Sequence, residues 1–220
     1  MSSIRIVQTS DGSHTLYSEL HKAHYHSTNG AIQESQHIFI KNGFELISQN
    51  EISVLEIGFG SGLNAALTAS SAQRMKTKTS YTGIDLYPHD LETLHNLNYK
   101  TLLKENDASM WAKVMAVEWE ETQQVNDFFW LKKVQDNFTT IEFADAYDLI
   151  YFDAFAPDDQ PDMWTDRMFN KLYKATKSKG ILVTYCSKGI VKQALRNNGY
   201  IVERLPGPPG KRHIIKATKE

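Results

Sequence analysis

A chain of 220 residues with 41% hydrophobic and 23% charged residues can bury one substantial core, and it carries no low-complexity run that would mark a linker. No apolar stretch approaches the roughly 18 residues of a membrane span, the N-terminus MSSIRIVQTSDGS lacks the order of a secretory signal, and the single cysteine, Cys186, suits a reducing cytoplasm. The net charge of −2 conceals a split: residues 167–220 hold 13 Lys and Arg against 2 acids, and residues 1–166 hold 11 against 24.

In chain order, residues 1–50, with HYHSTNGAIQESQHIFI, precede the first strong strand signal and read as an N-terminal extension or lid over a core of 51–220, one domain overall. SVLEIGFG (53–60) reads as a buried strand entering a glycine turn, and LNAALTASSAQRM (63–75) as the helix that follows. SYTGIDLYP (80–88) is a second strand and 89–103 a second helix; 104–127 reads as helical, with Trp111 and Trp119 as packing anchors. FFWLKKVQD (128–136) and AYDLIYFDAF (146–155) are the third and fourth strands, 163–176 is a helix by its apolar spacing, and Gly180 opens a fifth strand, ILVTYC. After a helix over 188–200, YIVERL and KRHIIKAT flank PGPPG and should pair as an antiparallel hairpin. Alternation of this kind predicts an α/β fold with a mostly parallel, seven-stranded sheet ending in an antiparallel hairpin, the plan of Rossmann-like class I methyltransferases.

The first glycine loop, EIGFGSGLN (56–64), places Gly58, Gly60 and Gly62 as G-x-G-x-G. The dinucleotide fingerprint needs glycine at 63, where Leu63 stands, so a pyrophosphate ligand and an NAD-dependent oxidoreductase are disfavoured. An acid ahead of the loop, Glu56, suits S-adenosylmethionine, which carries an ammonium and no phosphate. Asp85 ends the second strand, where a carboxylate can accept from ribose hydroxyls, and Asp136 follows the third, placed for an adenine amino group. Each could alternatively be a cap or turn residue. Asp153 ends the fourth strand, beside the position expected for the reactive methyl. His21, His24 and His26 lack a carboxylate or cysteine to complete a metal site, and no metal is expected.

Together with EIGFGSGLN, the runs FDAFAPDDQPDMWTDRMF, GILVTYCSKGIVKQALRNNGY and RLPGPPGKRHIIKAT, and the upstream HSTNGAIQESQHIFI, resemble the methyltransferase domain of MnmC-type tRNA-modifying enzymes. These are the tRNA 5-methylaminomethyl-2-thiouridine methyltransferases, and the resemblance runs over about residues 24–218. It implies methyl transfer from S-adenosylmethionine to the aminomethyl nitrogen on C5 of a wobble uridine, with tRNA as partner and a functional link to the enzymes that install the aminomethyl group. Because bifunctional members continue into a flavin oxidase, the chain resembles a stand-alone methyltransferase.

Residue by residue, the resemblance assigns Glu56, Gly58, Phe59, Gly60, Gly62, Asn64, Asp85, Asp136, Asp153 and Glu34 to the cofactor, with Gly30 and Ser35 in the leader beside Glu34. Asp153 and Phe155 become the catalytic pair; Ala156, Pro157, Trp164, Lys188, Lys211 and Arg212 face substrate or RNA, with Phe155 and Trp164 as walls for a flipped base. VQDNF departs from the Gly-Asp pair common at the adenine position. With Lys171, Lys174 and Lys192, the basic residues late in the chain would supply phosphate contacts. Two alternatives stay open: methylation of another amine, on a small molecule or protein, and an inactive RNA-binding Rossmann-like protein.

Overall fold

The computed structural model describes residues 4–143 and 146–220. Its centre is β4 (Glu51–Ile57), flanked by two parallel neighbours, β5 (Lys78–Asp85) and β8 (Tyr147–Phe152). Alternate β4 side chains serve opposite faces: Ile52 and Val54 join a cluster with Phe39, Tyr81, Trp111 and Tyr151, whereas Leu55 and Ile57 join Phe152, Phe169, Leu172 and Leu195. Helices α2 (Leu63–Met75) and α5 (Glu105–Ala116) bury side chains in the first layer; α6 (Asp166–Ala175) and α7 (Gly189–Asn197) bury theirs in the second. All six residues of β8 are buried, as expected of a parallel strand covered on both faces.

The eight strands run in the order β10-β11-β9-β8-β4-β5-β7-β6, where β9 is Thr176–Thr184, β10 Ile201–Pro206, β11 His213–Thr218, β7 Phe129–Gln135 and β6 Thr122–Asn126. The terminal hairpin forms as expected, and β11 inserts antiparallel between β9 and β10. Strand order reverses at β4, so its carboxyl end opens a crevice between β5 and β8, the ordinary ligand position in open α/β sheets.

Two expected helices are corrected. The helix expected over 104–127 stops at Ala116, and Thr122–Asn126 forms an eighth, edge strand antiparallel to β7. The signal was local: Asn126 Oδ1 accepts from Phe128 N at 2.8 Å, an Asx turn that folds 122–126 back onto the next strand. The helix expected over 89–103 is two short pieces, α3 (Leu91–His95) and α4 (Tyr99–Leu102), parted at Asn98. Asn98 accepts from His14 N at 2.8 Å and donates to Gly12 O at 2.9 Å, which ties this segment to the N-terminal strands. Those strands, β1 (Ile4–Gln8), β2 (His14–Ser18) and β3 (Ala23–His24), form a separate antiparallel sheet, followed by α1 (Ala31–Ser35) and a π-helical turn.

Candidate functional site

A cavity of about 910 Å³ lies at the carboxyl ends of β4, β5, β7 and β8. Gly58 and Gly60 lie on its wall beside Asp85, Asp136 and Asp153, and Ser18, Leu20, His21 and Tyr25 reach over from the N-terminal segment.

The glycine loop is built for close approach. Gly58, Gly60 and Gly62 have φ of 89°, 51° and 69°, the left-handed region that side chains resist. A Cβ on Gly58 would stand 2.5 Å from the Asp153 carbonyl oxygen. Asp153 N in turn donates to Ile57 O at 2.9 Å, so the first and fourth loops lie backbone to backbone.

Beneath the loop, Asn64 Nδ2 donates to Glu56 Oε1 at 2.8 Å and to Asp153 Oδ2 at 2.9 Å, and Tyr81 OH donates to Glu56 Oε2 at 2.7 Å. Burial drives the Glu56 carboxyl well above its usual range, against the two hydrogen bonds that favour its anion. Asp153 is pushed up to about 8, first by burial and then by the Glu34 charge, while the Asn64 hydrogen bond and Lys211 oppose the rise. Asp85 accepts from Gly60 N at 2.8 Å through one oxygen and from Tyr87 N at 2.9 Å through the other. Asp136 is exposed on the cavity wall and accepts from Asn137 N.

The site residues expected from sequence separate into three groups. Gly58, Gly60, Asp85, Asp136, Asp153 and Phe155 meet around the cavity. Glu56, Phe59, Gly62 and Asn64 lie beneath or behind it; the Phe59 ring packs edge-on to Trp119, and Glu34 pairs with Lys211 at 3.0 Å. Trp164 is corrected as a wall for a flipped base: its indole is buried against Phe152, donates from Nε1 to Phe155 O at 2.7 Å, and is absent from the cavity lining. It braces the loop from behind, buried at the end of the short helical turn Pro161–Trp164. Pro157 is buried, and Ala156 O accepts from Asp159 N and Gln160 N, both at 2.8 Å, which closes the loop as a tight turn.

Lys188 pairs with Asp158 of that loop, and Arg212 is exposed. Lys171 is corrected as an RNA contact: its Nζ donates to Phe138 O at 2.9 Å and Ile141 O at 2.6 Å. Residues that sequence reasoning missed come from the N-terminal segment. His21 stacks on Phe155 at 4.5 Å and 27°, and Tyr25 meets Phe155 and His89 edge-on at 4.8 Å. Their signal in the sequence is the aromatic run HKAHYH, residues 21–26.

A smaller recess of about 20 Å³ lies below Tyr25, lined by His26, Ser61 and Asn64 among others. His26 Nδ1 and Asn64 Oδ1 are buried there with no hydrogen-bond partner among the described residues. Unpartnered polar atoms beside a strained glycine loop could receive polar groups of a nucleoside cofactor such as S-adenosylmethionine, and the carboxylates of Asp85 and Asp136 on the cavity wall could accept from hydroxyl or amino groups of that cofactor.

A Rossmann-like sheet with a glycine loop, an acid ending the second strand and a carboxylate ending the fourth defines a nucleoside-cofactor transferase. The family described as S-adenosyl-L-methionine-dependent methyltransferase matches residues 96–220, and the chain belongs to it. It is 27% identical over 219 residues to the tRNA 5-methylaminomethyl-2-thiouridine biosynthesis bifunctional protein MnmC of Paraburkholderia phymatum, a match covering 91% of this chain and 33% of that protein. The protein of the same description from Burkholderia pseudomallei is 28% identical over 224 residues, covering 91% and 34%. The chain therefore spans about one third of the length of these curated relatives. In fold it is similar to MNMC2 from Aquifex aeolicus, with a TM-score of 0.81 at 23% identity over all of this chain and 71% of that one. It is also similar to spermidine synthase from Thermotoga maritima, with a TM-score of 0.59 at 14% identity over 100% and 70%. Among the described residues, no helix is long and apolar enough to cross a membrane.

Proposed function

We propose that this methyltransferase acts on the 5-aminomethyl nitrogen of uridine or 2-thiouridine at the tRNA wobble position. The names of the curated relatives support that substrate, and the observation that carries the chemistry is Asp153, a carboxyl raised to about 8 on the cavity wall beside Phe155. S-adenosylmethionine supplies an electrophilic methyl on a cationic sulfur. The attacking nitrogen needs a free lone pair, and an alkylamine is mostly protonated in neutral water. A carboxylate whose conjugate acid titrates near 8 is a stronger proton acceptor than one titrating near 4, so Asp153 in its ionised form orients the nitrogen and takes the proton it sheds. Phe155 offers its face to a base once His21 moves off it. Residues 1–50 act in this reading as a lid over a core of 51–220. The substrate must first receive its aminomethyl group, so an aminomethyl-installing reaction precedes this one.

The decisive assay incubates tRNA carrying wobble aminomethyluridine with the protein and labelled S-adenosylmethionine, then identifies wobble nucleosides by mass spectrometry. Label is expected in methylaminomethyluridine and not in tRNA lacking the aminomethyl group; incorporation elsewhere, or none, overturns the reading. Asp153→Asn should lower kcat about 10²- to 10⁴-fold with cofactor affinity retained. Full turnover by that variant would remove Asp153 from the chemistry.

A further inference from the structure

Lys211 belongs to the GPPGKR tip of the β10–β11 hairpin, where sequence alone places it facing RNA. Its side chain turns inward instead. Lys211 Nζ stands 3.0 Å from Glu34 Oε1 as a charge contact and 4.9 Å above the Tyr185 ring. Glu34 is buried at 7% exposure, and its other oxygen accepts from Ser27 N at 2.6 Å. Tyr185 OH donates to Ala154 O at 2.8 Å, and Ala154 follows Asp153 directly. A continuous chain of contacts thus runs from the N-terminal leader through the hairpin tip to the reaction loop. The two flanks of the junction are tight: a Cβ on Gly210 would collide with the Asn29 side chain, and His37 Nε2 lies 2.8 Å from Pro206 O.

We propose that Lys211 and Glu34 are positioning residues for Asp153: their ion pair, formed only when leader and hairpin are docked, sets the charge that the Asp153 carboxylate experiences. Glu34 alone would press a second negative charge on Asp153, and Lys211 offsets it from the opposite element. Removing Lys211 should therefore make Asp153 hold its proton more tightly, and removing the Glu34 charge should do the reverse. The other ionisable groups that interact with this cluster include Glu56 on β4, Tyr81 and Asp85 on β5, Asp159 in the loop after β8, Tyr185 and Cys186 after β9, and His26, which faces Glu34. The Lys211–Glu34 pair joins the leader helix α1 to the hairpin tip. The inference rests on the role given to Asp153 above, but its first test needs no substrate.

The test is a carbon-13 NMR titration of aspartate-labelled protein without ligands, with the Asp153 resonance assigned by its loss in Asp153→Asn. Lys211→Met is expected to raise the Asp153 midpoint by about one pH unit, Glu34→Gln to lower it, and the double variant to return it toward wild type. Lys211→Arg, which keeps the charge, should leave it in place. The pH–rate profile of methylation should shift in the same directions. Unchanged midpoints in folded Lys211→Met and Glu34→Gln proteins would overturn the proposal and leave the pair a purely mechanical clasp. Shifted midpoints with no methylation of aminomethylated tRNA would uphold it and overturn the substrate assignment instead.

Discussion

Asn64 holds two carboxylates, Glu56 and Asp153, with the two hydrogens of one amide nitrogen. One neutral amide compensates poorly for two charges, so the site favours a proton on at least one of them, and burial raises both. This has a sign that can be measured. The folded state binds the Asp153 proton more tightly than the unfolded chain, so the associated stability is present below about pH 4 and is lost as pH rises to about 8. Asp153→Asn removes that loss: its Tm is expected to exceed wild type at pH 9, with a smaller difference at pH 5, by differential scanning calorimetry. A stabilised but inactive variant is the usual trade at a strained active site. Gly58 is constrained differently, because both its φ of 89° and the Asp153 carbonyl oppose a side chain. Gly58→Ala is expected to cost about 1–3 kcal/mol in unfolding experiments and to weaken cofactor binding by calorimetry. The clash partner is backbone, with no flexible tip to yield.

At the scale of elements, the Lys133 side chain shows how a strand and a helix end are joined. Lys133 on β7 is buried at 4% exposure, lies 5.2 Å over the Trp119 ring and 5.9 Å over Phe59, and points its Nζ at the last carbonyls of α5, Val114 O at 3.5 Å and Met115 O at 3.4 Å. Desolvation lowers its pKa to about 8, against the opposing charge of Glu118. The unfolded chain therefore binds this proton more tightly, and stability should rise with pH between about 8 and 10.5. Chemical denaturation across that window should show the rise in wild type and a flatter profile in Lys133→Met. The regular α/β core was legible because its signals are periodic and local: buried apolar strands, the glycine loop, and PGPPG between two strand-like runs. The edge strand Thr122–Asn126 was not, because its weak alternation followed a helix and only the Asn126 turn separates it from β7. The acids at strand ends were legible for the same reason as the strands. The aromatic cover of His21 and Tyr25, the inward turn of Lys211 and the bracing role of Trp164 depend on contacts between segments far apart in sequence, which periodicity does not encode.

Across the whole molecule, the basic excess of residues 167–220 is partly spent inside the fold. Lys171 and Lys219 donate to backbone carbonyls, and Lys177, Lys188, Lys211 and Lys216 pair with Asp148, Asp158, Glu34 and Glu203. The surface field that could attract a polyanion comes from the remainder, including Lys192, Arg196 and Arg212, which form no ion pair among the described residues. Lys188, Lys192 and Arg196 recur every fourth position at the start of and along α7, so they share one stripe, and Lys188 ties the start of that stripe to the reaction loop through Asp158. A nucleic acid lying along this stripe would deliver its base to the loop while its phosphates meet the helix. Measured tRNA affinity should then fall steeply with salt, and Lys192→Ala, Arg196→Ala or Arg212→Ala should each reduce the slope of log affinity against log salt by about one. Lys171→Met is the internal control: it should leave that slope unchanged while costing about 1–3 kcal/mol of stability, because the Phe138 and Ile141 carbonyls lose their charged donor. A salt slope that responds to Lys171 but not to the α7 stripe would place the phosphate path on a different face of the sheet.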